Sequence, residues 1–155
     1  MKRIALIALL LLCAGHPART DDIPASQTDH SISLSALSPL SQYFQLSPAP
    51  ELVADYESIS VLYFKGKLPP VDIQWETGLL DSLNLYALAT CDDNHCKIRI
   101  DPLFREHQWI TRATLLHEAA HCYVATRTKE RESHGKKWLA TMKRLVRQGA
   151  YDEVF

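Results

Sequence analysis

Apolar residues recur along the middle of the chain with helical spacing. From position 48 they stand three and four residues apart, which predicts an amphipathic helix that Ser47 caps and Pro48 opens, with Glu51 near its positive end. Gly66 and the prolines that follow it end this pattern. The apolar positions of the predicted helix are Leu52, Val53, Tyr56, Ile59 and Tyr63.

The period changes to two after this helix. Residues 71–75 alternate between apolar and polar side chains, which is typical of a half-buried strand. Residues 83–90 and 97–100 have strand-like composition and are joined by a short turn. We therefore expect a small antiparallel sheet.

Two further helices are predicted in the C-terminal part of the chain. Residues 111–126 are apolar nearly all round, so this helix should be buried. Residues 135–147 form an amphipathic pattern that Gly149 follows. Its apolar side comprises Trp138, Leu139, Met142, Leu145 and Val146. The pattern predicts an α+β fold in which the sheet packs on the buried helix, with further helices beside it.

The first residues follow the order of charged, apolar and small side chains that is typical of a secretory signal peptide. Lys2 and Arg3 precede an unbroken apolar run at residues 4–12, which is too short to span a membrane. We predict a signal peptide at residues 1–15, an irregular linker or pro-segment at 16–47 and one domain at 48–155. A lipid anchor on Cys13 is the alternative; bulky Leu12 before it argues against one. We expect an exported protein with no stable membrane anchor.

Composition and charge exclude some function classes. Hydrophobic residues make up 46% and charged residues 23% of the chain, which excludes a wholly disordered or multi-spanning membrane protein. The net charge of −1 conceals an asymmetry, because residues 16–104 carry 5 basic and 12 acidic side chains, and residues 105–155 carry 10 basic and 6 acidic. The total gives no reason to expect a nucleic-acid partner.

The cysteines suggest one covalent link. Cys91 and Cys96 bracket a turn-rich tetrapeptide between two predicted strands, so a disulfide would close the hairpin. Two free thiols, or half of a metal site, are the alternatives. With this disulfide formed, Cys122 is expected to be the buried, unpaired cysteine of the domain.

The buried helix carries the residues that suggest chemistry. His117 and His121 are four residues apart, so both imidazoles reach one side of the helix and can bind the same Zn²⁺. Glu118 stands beside them without needing to be a ligand, as a general base and acid would. One metal ion accounts for three polar groups that would otherwise each need a buried partner.

A catalytic zinc site requires a third protein ligand and an open position. His134 is the preferred third ligand, because the turn between the last two helices can bring it back over the first pair. His107, ahead of the buried helix, is the alternative. Glu130 and Glu132 fit a solvated loop better than a metal site.

Three ordered blocks of sequence carry a family resemblance. Residues 62–75, 115–121 and 133–138 together resemble the SprT-like zinc metallopeptidases, over roughly residues 50–150. The resemblance implies a minimal α+β domain with a zincin-type active site. It also implies that His117, His121 and His134 bind zinc, and that Glu118 is the general base and acid.

These observations lead to one main hypothesis and two alternatives. We expect an exported, periplasmic or secreted zinc endopeptidase that binds one Zn²⁺ per chain, acts on proteins or peptides and has no nucleic-acid partner. A zinc-stabilised binding module without catalysis is the first alternative. The second is a cytoplasmic, nucleic-acid-associated protease of the SprT type. Its basic patch would comprise Arg127, Lys129, Arg131, Lys136, Lys137, Lys143, Arg144 and Arg147.

Overall fold

Alternating burial along one strand shows how the sheet is placed. The computed structural model describes residues 46–79, 83–128 and 133–152. In the strand Cys96–Ile100, the side chains of Cys96, Ile98 and Ile100 are fully buried. Lys97, between them, is exposed, and Arg99 is only partly buried. Side chains of a strand point alternately to opposite faces, so one face of the sheet covers the core and the other faces solvent.

The sheet is mixed, whereas the sequence predicted an antiparallel one. Its strands occur in the spatial order β1-β2-β4-β3. The outer pairs, β1 with β2 and β3 with β4, are antiparallel, but β2 and β4 are parallel. The reason is that the β3–β4 hairpin places β4, not β3, beside β2, so that β4 runs in the direction of β2. The strands are β1 (Leu46–Pro48), β2 (Val71–Glu76), β3 (Ala87–Cys91) and β4 (Cys96–Ile100).

The first helix begins later than predicted. Ser47 pairs with Trp75 in the sheet, so it does not cap the helix. Ala49 occupies the N-cap position, and Pro50 opens the helix. The backbone N–H of Ala49 donates to the carbonyl of Ile73, which shows that the sheet extends up to the helix start.

Three helices and a short 3-10 turn complete the described part of the chain. Helix α1 ends as predicted near Gly66, where both Lys65 (φ 56°) and Gly66 (φ 68°) adopt left-handed conformations. The 3-10 turn at Pro102–Phe104 precedes the long helix, and the Asp101 carboxylate accepts the backbone N–H of Leu103 there. The helices are α1 (Pro50–Phe64), α2 (Gln108–Thr128) and α3 (Lys136–Arg147).

Helix α2 is the centre of the core, as its composition predicted. Ten of the twelve residues from 113 to 124 are buried. The helix contacts α1, α3 and β3. Within the residues that the structure describes, no helix combines the length and apolar character that a membrane span requires. Helix α3 buries Trp138, Met142 and Leu145.

Two positions of the predicted apolar side of α3 are exposed. Leu139 and Val146 are 45% and 40% exposed. They follow Trp138 and Leu145 by one residue, and one residue turns a helix by 100°, so they lie beside the buried stripe rather than on it.

The hairpin is closed by the predicted Cys91–Cys96 disulfide. In its turn, the Asp92 carboxylate accepts the backbone N–H groups of Asn94 and His95, and these hydrogen bonds lower the pKa of Asp92. The domain is α+β, as expected. The predicted signal peptide at 1–15 and all but the last two residues of the predicted linker at 16–47 lie outside the described residues.

Candidate metal centre

Helix α2 presents two imidazoles from consecutive turns. His117 is 3% exposed, and His121, one turn later, is partly buried. Their Nε2 atoms are 3.2 Å apart. The spacing of four residues, which is about 6 Å of rise and 40° of rotation, lets the two rings converge on one point.

His134 joins this pair from the chain segment before α3. Its backbone is left-handed, with φ 59°, a conformation that is uncommon outside glycine and in which histidine is enriched. Its Nε2 lies 3.1 Å from Nε2 of His117 and 3.2 Å from Nε2 of His121. We call these three residues the histidine cluster.

The histidine cluster fits a shared metal ion better than it fits mutual hydrogen bonding. Four-coordinate zinc with bonds of about 2.0–2.1 Å holds its nitrogen ligands about 3.3–3.4 Å apart, close to the separations found here. An N–H on one ring cannot point at both neighbouring nitrogens, and the remaining lone pairs would face each other. Three converging imidazole nitrogens are a donor set that zinc prefers.

The protonation states of the histidine cluster suit metal binding. Burial is the main cause that lowers the pKa of each ring. The pKa of His117 lies well below its usual value, that of His121 falls to about 4, and that of His134 is also lowered. The neighbouring histidines lower the pKa of His117 and His121 further. Neutral imidazoles keep the lone pair that a metal requires.

Trp138 orients all three rings of the histidine cluster. Its ring centroid lies 4.8 Å from that of His117, 5.3 Å from that of His121 and 4.4 Å from that of His134. The indole is 2% exposed. One rigid aromatic side chain at the first turn of α3 therefore contacts every member of the cluster and restricts its rotation.

Glu118 is buried beside the cluster. Its side chain is held against the sheet, where the carboxyl accepts the backbone N–H of Ala89. Burial raises the pKa of Glu118 to about 8, and the hydrogen bond from Ala89 opposes part of this increase. A buried carboxyl with a raised pKa, next to converging metal-type ligands, is typical of a functional site.

The cluster and Glu118 open on one cleft of about 100 Å³. Residues 85–89 form one wall, His117, Glu118 and His121 form the floor, and Ser133 and His134 stand at the other side. The wall belongs to β3, which is an edge strand of the sheet. This edge strand and the histidine cluster therefore line the same cleft.

The other histidines that the structure describes, His95 and His107, are not part of the cluster. His107, the alternative third ligand, is exposed at the start of α2 and is not part of the cluster. His95 contacts the Asp72 carboxylate, with 3.0 Å between Nε2 and Oδ2. His16, His30, Glu130 and Glu132 lie outside the described residues.

Sequence reasoning missed three contributors to the site. Trp138 was assigned only to the apolar side of α3; its position four residues after His134 is the signal that was available. The backbone N–H of Ala89 donates to Glu118, and a pattern of side chains gives no information about a backbone donor. Tyr86 is the tyrosine that lines the cleft.

Two other tyrosines of the domain, Tyr123 and Tyr151, have contacts away from the cleft. The ring of Tyr123 packs against Phe64, with centroids 5.2 Å apart. The Tyr151 hydroxyl lies 3.9 Å from Sδ of Met142. Neither residue lines the cleft.

Comparison with known proteins identifies the family. No curated protein matches the chain. The model of the SprT-like family matches residues 52–153, which span α1 to the end of the described chain and include His117, Glu118, His121 and His134. The chain therefore belongs to the SprT-like family.

Proposed function

We propose that this protein is an exported zinc endopeptidase. One observation carries the proposal: a buried carboxyl group and three converging imidazoles open on the same cleft, beside an exposed strand edge. A metal that only stabilised the fold would not require the carboxyl group or the opening. Membership of the SprT-like family supports the same activity.

The residues of the cleft have distinct roles in this proposal. His117, His121 and His134 would hold one zinc ion, which supplies Lewis-acid chemistry to a substrate carbonyl and to water. Glu118 accepts the proton of the attacking water and passes it to the leaving amine. Burial raises the pKa of Glu118, so its carboxylate is a stronger base than an exposed one, and the charge of a bound cation would favour the ionised form that accepts a proton. Trp138 keeps the three imidazoles in position.

The strand edge supports a peptide as the substrate. In the β3–β4 hairpin, Asp92 and His95 share a hydrogen bond, as do Tyr86 and Asp101. Because hydrogen-bonded pairs alternate along an antiparallel ladder, the backbone groups of Ala87 and Ala89 point away from β4. Ala89 uses its N–H for Glu118. Ala87 can pair with an extended peptide laid along this edge.

The decisive variant is Glu118→Gln, which keeps the size of the side chain and removes the base. We expect zinc binding at one ion per chain in both proteins, and a fall in peptide hydrolysis of at least about 100-fold in the variant. Exposed Glu57 on α1 provides the matched control, Glu57→Gln, which should behave as wild type.

Peptide hydrolysis is measured with a mixture of denatured proteins, followed by mass spectrometry of the fragments. Zinc binding without cleavage by the wild-type protein would favour the non-catalytic binding module. Cleavage that survives Glu118→Gln would contradict the role of Glu118.

Export is part of the proposal and has its own support. The order of charged, apolar and small residues at positions 1–15 is typical of a signal peptide. The Cys91–Cys96 disulfide fits an oxidising compartment. Cell fractionation with N-terminal sequencing should find a processed protein outside the cytoplasm. An unprocessed cytoplasmic protein would favour the nucleic-acid-associated alternative.

Internal contacts of two basic residues argue against a nucleic-acid surface there. Arg144 donates to the backbone carbonyl of Tyr63 and lies over the Phe64 ring, 5.0 Å from its centroid. Arg127 donates to the carbonyl of Lys67. Both side chains therefore link helices to the end of α1. We propose protein or peptide substrates and no nucleic-acid partner.

A further inference from the structure

Three sulfur atoms meet on the side of α2 that faces the hairpin. Cys91 and Cys96 form the disulfide, and Cys122 of α2 is a buried thiol. All three Sγ atoms lie within 4.8 Å of one another. We call these residues the sulfur cluster; none of them lines the cleft of the histidine cluster.

The surroundings of the sulfur cluster are those of a built site. Cys96 and Cys122 are fully buried, and Cys91 is partly buried. The three residues come from three elements, β3, β4 and α2, and β3 packs directly on α2. The Tyr56 hydroxyl lies within hydrogen-bonding reach of the Cys122 sulfur. Core packing therefore places Cys122 against the disulfide.

We propose that the reduced form of this protein binds one soft divalent cation, such as zinc or cadmium, through Cys91, Cys96 and Cys122. Metal–thiolate bonds of about 2.3 Å at trigonal or tetrahedral angles place sulfurs about 3.8–4.0 Å apart. In the oxidised form Cys91 and Cys96 are bonded to each other, so reduction has to separate their sulfurs to this distance, while Sγ of Cys122 lies within 4.8 Å of both. Soft thiolates select such cations. The inference is independent of the proposed peptidase activity.

An ordinary reductant can convert the disulfide to the thiols that the cation requires. A phosphine transfers two electrons to the Cys91–Cys96 bond; water supplies the two protons that complete the two thiols, and its oxygen leaves as the phosphine oxide. Binding of the cation then releases the three thiol protons to solvent. The cation would link the hairpin to α2 in a reducing compartment, as the disulfide closes the hairpin in an oxidising one.

Cadmium provides a direct test, because cadmium thiolates absorb in the ultraviolet and cadmium imidazoles lack that absorption. The full chain carries Cys13→Ser, so that only the sulfur cluster supplies thiols. The histidine cluster is first loaded with one equivalent of zinc, and the protein is reduced with a phosphine. Cadmium is then titrated into this protein, into its oxidised form and into Cys122→Ser and Cys91→Ser.

We expect thiolate absorption that saturates at one cadmium per chain in the reduced protein only. Each serine variant should weaken cadmium binding at least about tenfold. No thiolate absorption in the reduced protein, or unchanged affinity in Cys122→Ser, would overturn the proposal. If reduction unfolds the domain, cadmium must restore its helical circular dichroism in the parent chain but not in Cys122→Ser; failure to do so would also overturn it.

Discussion

The histidine cluster and the sulfur cluster lie on adjacent faces of the same helix. Both contain three metal-type donors, and His121 and Cys122 are neighbours in sequence. They differ in access, because the histidine cluster opens on the cleft beside β3, whereas two of the three sulfurs are fully buried. They also differ in chemistry, because Glu118 accompanies the histidines in the cleft and a disulfide occupies the sulfur side.

This difference shows what separates a reactive site from a structural one within a small core. A catalytic metal needs an open position and a nearby base, and both are found on the histidine side. The sulfur side fastens the hairpin, including the strand that forms the cleft wall. Helix α2 thus carries the reactive groups on one face, while the adjacent face packs against the disulfide that closes the hairpin.

The largest effect should come from removing one member of the histidine cluster. In His134→Ala, zinc affinity should fall by more than about 100-fold and proteolysis should be lost, because two imidazoles remain where three held the ion. The matched control is His107→Ala, which removes an exposed imidazole outside the cluster. Equilibrium dialysis against zinc measures both proteins. Unchanged zinc affinity in His134→Ala would mean that the third ligand comes from elsewhere.

An intermediate effect is expected at Trp138, which contacts all three imidazoles. Trp138→Ala should lower the free energy of unfolding by about 3–5 kcal/mol and zinc affinity by about 10–100-fold. Trp138→Phe retains an aromatic ring and should recover much of the zinc affinity. Chemical denaturation and zinc titration separate the two quantities. Full zinc affinity in a folded Trp138→Ala protein would contradict a positioning role.

The smallest effect is expected on the sulfur side. Replacing both Cys91 and Cys96 with alanine removes the restraint on a short loop and should lower the free energy of unfolding by about 2 kcal/mol. Proteolysis by the folded variant should match wild type, because neither cysteine lines the cleft. A phosphine reductant should lower the melting temperature of wild type but not of the variant. Lost activity in the folded variant would show that the two sides of α2 are coupled.

Local spacing explains which parts of the site were predictable. His117 and His121 are four residues apart, which places them on the same side of a helix. Cys91 and Cys96 flank a short turn, which places them opposite each other in a hairpin. His134 was predicted because a turn between adjacent helices brings it back to the same place. Each of these inferences uses contacts between residues that are close in sequence.

The parts that sequence reasoning missed depend on contacts between distant residues. The parallel pairing of β2 with β4 follows from the position of the hairpin, which no period along either strand encodes. The hydrogen bond from Ala89 to Glu118 involves a backbone group and needs the packing of β3 on α2. The approach of Cys122 to the disulfide needs the same packing. The pattern of apolar and polar residues within one element carries no information on these contacts between elements.

The most direct test is X-ray absorption at the zinc edge of the oxidised, purified protein. We expect one zinc per chain, with three imidazole nitrogens at about 2.0–2.1 Å and no sulfur ligand. The bound zinc should be lost in His134→Ala, and the spectrum should be unchanged in Glu118→Gln. Sulfur neighbours at about 2.3 Å, or no zinc in a folded and active protein, would contradict the assignment of the metal to His117, His121 and His134.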